Sequence, residues 1–66
     1  MKIQLNGESR DIPASSTALD LVNLLELGDK RLAMEVNLEI VPRTSYAQHR
    51  LNEGDQVEIV QAIGGG

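Results

Sequence analysis

Thr17-Ala18-Leu19-Asp20-Leu21-Val22-Asn23-Leu24-Leu25-Glu26-Leu27-Gly28 is the stretch that decides the fold. Ala18, Leu21, Val22 and Leu25 recur at helical spacing, so a helix gathers them on one face, with Asp20, Asn23 and Glu26 turned outward. Leu19 and Leu24 are expected to widen that core stripe. Ser15-Ser16-Thr17 supplies capping hydroxyls, and Thr17 with Asp20 three residues on approximates a capping box. Gly28 is placed to stop the helix as a left-handed C′ residue. A single apolar helix stripe is buried most economically on one face of a sheet, which makes the chain α+β.

The strands lie on either side. Lys2-Ile3-Gln4-Leu5 alternates, meets Asn6-Gly7 and resumes from Glu8 to Ile12; the Asn-Gly pair suits a type I′ hairpin turn because both central residues need φ > 0. Pro13 ends the second strand by removing a ladder donor. After the Asp29-Lys30-Arg31 turn, Leu32, Met34 and Val36 share one face of a third strand, which Asn37-Leu38 breaks. Glu39-Ile40-Val41 runs into Pro42 as a short peripheral fourth strand. Thr44 or Ser45 is expected to cap a brief helical turn through Tyr46-Ala47-Gln48-His49. The last strand is read from Gln56 to Ile63, with residues 1–63 forming one domain and residues 64–66 a glycine tail.

Within that last strand Val57 and Ile59 fit the core, whereas Val60 and Ala62 fall on the opposite face. They are the candidate partner surface beside the tail, with Ile63, although solitary surface valines are common. Gly64-Gly65-Gly66 offers no side chain to pack and loses much backbone entropy on ordering, so a flexible tail is expected. Fully extended it reaches roughly 10 Å past Ile63, far enough to enter another protein's active site. An inert frayed terminus has the same composition.

Composition excludes several classes. With 66 residues the chain holds one small core, and it has no cysteine for a disulfide, a thiolate metal site or a catalytic thiol. A formal net charge of −4 and a single aromatic, Tyr46, argue against nucleic-acid binding. No apolar run is long enough for a membrane span or signal core, so a cytoplasmic location is expected. His49 has no second histidine or cysteine near it in sequence and is read as a surface or turn residue. Asp29-Lys30-Arg31 reads as a solvated turn, and no acid–base role follows for Glu53, Asp55 or Glu58.

Four features occur in order along the whole chain: the hairpin opening Ile3-Gln4-Leu5-Asn6-Gly7, the segment from Val36-Asn37 to Ile40-Val41-Pro42-Arg43, the approach Glu53-Gly54-Asp55-Gln56-Val57-Glu58-Ile59, and the glycine terminus. None is specific alone. As an ordered set they resemble the small sulfur-carrier proteins of thiamin biosynthesis, the ThiS family of ubiquitin-like β-grasp domains. The resemblance implies a mixed sheet of four to five strands with one main helix on one face. It implies a protein co-substrate rather than an enzyme, with no cofactor bound. An E1-like adenylyltransferase would join the carboxylate of Gly66 to AMP, with ATP consumed by that partner. A persulfide donor such as a cysteine desulfurase would supply sulfur to form a thiocarboxylate, which thiazole synthase would take into the thiazole ring.

On this reading Gly66 carries the sulfur, Gly65 is its required neighbour and Gly64 adds reach, since the family pattern needs only two glycines. Arg43 belongs to the resembling segment and is placed on the partner surface, where it could pair with an acidic group; a surface structural role fits it equally. The free carrier is expected to be a monomer. The chemistry suits glycine, because an α-carboxylate is ionised at neutral pH and an unhindered carbonyl admits a sulfur nucleophile. A molybdopterin-type carrier shares the fold and activation chemistry, and Val41-Pro42-Arg43 tilts the reading toward thiamin. A ubiquitin-like modifier and an interaction module with an inert tail also remain open.

Overall fold

In the computed structural model, which describes residues 1–61, the helix starts where the capping groups meet. Thr17 Oγ1 accepts from the Asp20 N–H at 3.1 Å, and the Asp20 carboxylate accepts from the Thr17 N–H at 2.9 Å. This reciprocal box satisfies donors that a helix N-terminus otherwise leaves open, and α1 (Ala18–Leu24) follows. Ala18, Leu21 and Val22 are buried and Leu25 packs at the edge of the core. Leu19 and Leu24 are exposed, contrary to expectation. At about 100° per residue they lie roughly 110° to either side of the stripe's centre, beyond the reach of the sheet.

The helix also ends earlier than expected. Leu27 N–H donates to Val22 O at 2.9 Å and Glu26 N–H to Asn23 O at 3.0 Å, the two bonds of a Schellman motif. The left-handed residue is therefore Glu26, at φ 60°, and not Gly28. The reversal folds Leu27 back against the core. Burying a leucine contributes about 1.5–3 kcal/mol when complete, enough to offset the roughly 1–2 kcal/mol that a side chain loses in this conformation.

Five strands form one mixed sheet: β1 (Lys2–Leu5), β2 (Glu8–Asp11), β3 (Leu32–Val36), β4 (Glu39–Val41) and β5 (Gln56–Gln61), in the order β2-β1-β5-β3-β4. β5 is central. It pairs parallel with β1 and antiparallel with β3, and the flanking pairs are antiparallel hairpins. Asn6 and Gly7 take φ 50° and 83°, as the type I′ reading requires. Asn37 and Leu38, read in sequence only as a break, have φ 52° and 70° and make a second tight reversal of that kind. Ile3, Met34, Val36, Val41, Val57 and Ile59 line the sheet face that meets α1, and Tyr46 and Leu51 close the core.

A short 3₁₀ turn at Arg43–Ser45, with Pro42 as N-cap and no side-chain cap, precedes the expected turn, which follows as Gln48 N–H and His49 N–H donate to Ser45 O at 3.1 and 2.9 Å. Ser45 N–H donates to Pro42 O at 2.8 Å. The Tyr46 ring, where the two turns meet, is buried. Asp55 is buried as well. Its carboxylate accepts from Asn52 N–H at 2.8 Å and from Asn37 Nδ2 at 3.1 Å, while Asn37 Oδ1 accepts from Gln56 N–H at 3.0 Å. Together these bonds tie the β3–β4 turn to the entry of β5.

Candidate functional site at the end of the central strand

The sequence-predicted site is built on β5, and the fold holds that strand on both sides almost to its end. Toward β1, Gln4 N–H donates to Asp55 O and Asn6 N–H to Val57 O, each at 2.9 Å. At Asn6 the first strand turns away, and the Asn6 carboxamide takes over. Its Oδ1 accepts from Ile59 N–H at 2.9 Å and its Nδ2 donates to Ile59 O at 3.2 Å. Toward β3 the ladder continues to Leu32 opposite Gln61. The chain thus passes Gln61 from the middle of the sheet. Ala62, Ile63, Gly64, Gly65 and Gly66, all named as site residues above, lie outside the described residues.

Val60 is 65% exposed on the sheet face away from the helix, as the alternation implied. Its cross-strand partner there is Ala33, and the same face carries Ile40, which is 76% exposed. Ile40 was missed in the sequence, yet the signal was present: Val41 faces inward, so its neighbour must face out. Glu35 and Glu58 stand directly opposite each other between these apolar groups, with Ile40 next in the row. The face is therefore apolar toward the end of β5 and acidic in the middle. Around the end of β5, Leu5, Asn6, Leu25, Leu27, Ile59, Val60 and Gln61 line an open cleft of ≈ 390 Å³.

Arg43 stands apart from Val60 in role. Its guanidinium donates through Nη1 to Lys30 O at 2.9 Å and through Nη2 to Gly28 O at 2.5 Å, and it lies 5.9 Å from the centroid of the Tyr46 ring. The geometry makes it a clasp on the loop that leads into β3. That loop borders Leu32 and hence the end of β5. Sequence alone did not distinguish this structural use from a partner contact. Among the described residues no group of three histidine, cysteine or carboxylate side chains is arranged to hold a metal ion, and no helix is long and apolar enough to cross a membrane.

Comparison with known proteins places this architecture. The sequence model of the ThiS family matches residues 3–66. Sulfur carrier protein ThiS of Escherichia coli is 35% identical over 66 residues, covering 100% of both chains. A thiazole synthase of Paramagnetospirillum magneticum is 50% identical over the same 66 residues, and this chain spans 20% of its length. Among solved structures, the crystal structure of the thiamine biosynthesis protein ThiS from Geobacter metallireducens superposes with a TM-score of 0.85 at 25% identity, covering 100% of each chain. With a family match that runs through the terminal glycines and a shared five-stranded β-grasp architecture, the chain belongs to the ThiS family.

Proposed function

We propose that this chain is a sulfur carrier protein of thiamin biosynthesis, a co-substrate that moves sulfur on its terminal carboxylate. The observation that carries the reading is the full-length match to the E. coli sulfur carrier, with both chains covered completely. That match, with the family match through residue 66, favours thiamin over a molybdopterin-type carrier. In the proposed sequence a carboxylate oxygen of Gly66 attacks the α-phosphorus of ATP on an E1-like adenylyltransferase. The bond to pyrophosphate breaks and an acyl-adenylate forms. The terminal sulfur of a persulfide, supplied by a donor such as a cysteine desulfurase, then attacks the acyl carbon and expels AMP. A thiol cleaves the resulting S–S bond, taking up the oxidation as a disulfide and releasing the thiocarboxylate. Thiazole synthase consumes that sulfur.

The protein's own contribution is presentation. Glycine at the terminus leaves the carbonyl open to the incoming sulfur, and Gly65 and Gly64 let backbone pass through a narrow channel. Ordering such a segment costs about 1–2 kcal/mol per residue, so contacts elsewhere must offset several kcal/mol. Val60, Ala33 and Ile40 are the described apolar groups placed to do so, and Ala62 and Ile63 are the next apolar residues in sequence. Arg43 borders this surface through the 28–31 loop. The carrier works in the cytoplasm and is a monomer when free.

Complementation tests the reading. In a thiazole-requiring strain that lacks its own carrier, the full chain restores growth without thiazole and the chain lacking Gly66 does not. Growth with the truncated chain would contradict the proposal.

A further inference from the structure

We propose that Asn6 is a positioning residue for the carrier segment; the inference rests on the sulfur-carrier reading. Its carboxamide stands where a next residue of β1 would stand, and it engages both the N–H and the C=O of Ile59, 53 positions away in sequence. No backbone of β1 is available for this, because Asn6 and Gly7 already form the hairpin turn that takes the chain off to β2. A side-chain amide is the one group that can supply a donor and an acceptor together, in the spacing of a strand neighbour, from a residue that also tolerates φ 50°.

The position of this bond matters more than its strength. It is the last lateral bond on the β1 side of β5 among the described residues, and past it Gln61 is held only by its pairing with Leu32. Removing it leaves β5 from Ile59 onward tied to β3 alone. Each extra residue that must then be ordered when the segment enters an active site lowers the productive fraction of docked carrier on the order of tenfold. Val60 keeps its pairing with Ala33 and Ile40 its pairing with Glu35, so β3 still holds the exposed face in place and docking is preserved. The expected signature is therefore a loss in kcat, with KM preserved. A merely structural role does the opposite: it lowers the folded fraction, which raises the apparent KM and leaves kcat alone.

The test is steady-state pyrophosphate release from ATP by the E1-like adenylyltransferase of the same organism, with the full chain as varied substrate. Asn6→Asp keeps the acceptor for Ile59 N–H and the tolerance of positive φ, but sets an anionic oxygen against the Ile59 carbonyl. Asn6→Gly keeps the turn and removes both bonds, so it serves if the first variant is too unstable. Both are expected to lose about tenfold in kcat with KM within about twofold of wild type. Wild-type kcat in both variants, or a loss confined to KM, overturns the inference and leaves the carrier reading standing. A wild-type chain that is not adenylated, by an enzyme shown to be active on another ThiS protein, removes the carrier reading and this inference with it.

Discussion

Leu38→Gly should stabilise this protein. Leu38 sits in the second central position of the β3–β4 turn at φ 70°, and its side chain is 81% exposed. A side chain in the left-handed region costs about 1–2 kcal/mol, and a residue this exposed recovers little of that through burial. Glycine removes the penalty but is more flexible when unfolded, which takes back roughly 0.5–1 kcal/mol. The net gain is about 0.5–1 kcal/mol. For a domain of this size that raises Tm by roughly 2–8 °C. The assay is calorimetry at neutral pH, with urea titration to show a higher midpoint at unchanged slope. Leu38→Ala is the control: it keeps the Cβ that causes the strain and should gain nothing. An equal or lower Tm for Leu38→Gly would refute the reasoning, since it would mean that the leucine side chain contributes in the free protein.

Glu26→Gly should likewise gain about 0.5–1 kcal/mol by relieving the left-handed C′ residue. Gly28→Ala, where an added Cβ meets Asn23 Oδ1 at 3.2 Å, needs only a small side-chain shift and should change stability by less than about 0.5 kcal/mol; the two variants, compared by urea midpoint, separate a stop at Glu26 from one at Gly28. Asp55→Ala removes a buried carboxylate that holds Asn52 and Asn37 and should cost about 2–3 kcal/mol, read by the same titration. Arg43→Ala frees the carbonyls of Gly28 and Lys30, and amide exchange at Lys30, whose N–H bonds Leu27 O, should accelerate while global stability falls by about 1 kcal/mol or less.

What the sequence made legible was set by local rules. The capping box, the Asn6-Gly7 turn, the short edge strand before Pro42 and the outward face of Val60 each follow from one residue's chemistry or from alternation, and each stands as read. The errors arose where tertiary packing decided among local options. Gly28 was the better left-handed residue, but Leu27 needed the core, so Glu26 took the strained conformation. Tyr46 was visible as a lone aromatic, but its burial, and the extra turn at Arg43–Ser45 just before it, depend on packing against distant elements. Asn6 was legible as a turn residue and illegible as a partner of Ile59, because nothing local marks a contact across 53 positions. Arg43 could have faced a partner or its own loop; only the placement of the Gly28 and Lys30 carbonyls decides it. The terminal glycines, read as the sulfur-bearing segment, rest on sequence and family alone.

The central claim is that sulfur travels on Gly66. Its most direct test is thiol-selective alkylation followed by mass spectrometry of the intact protein and its C-terminal peptide, after incubation with the activating system, ATP and a persulfide donor. The chain has no cysteine, so a label on the terminal peptide reports a thiocarboxylate and is not confused with oxidation of its two methionines. The account predicts that label at Gly66. An unlabelled terminus, under conditions in which the activating enzyme is demonstrably turning over, would contradict it.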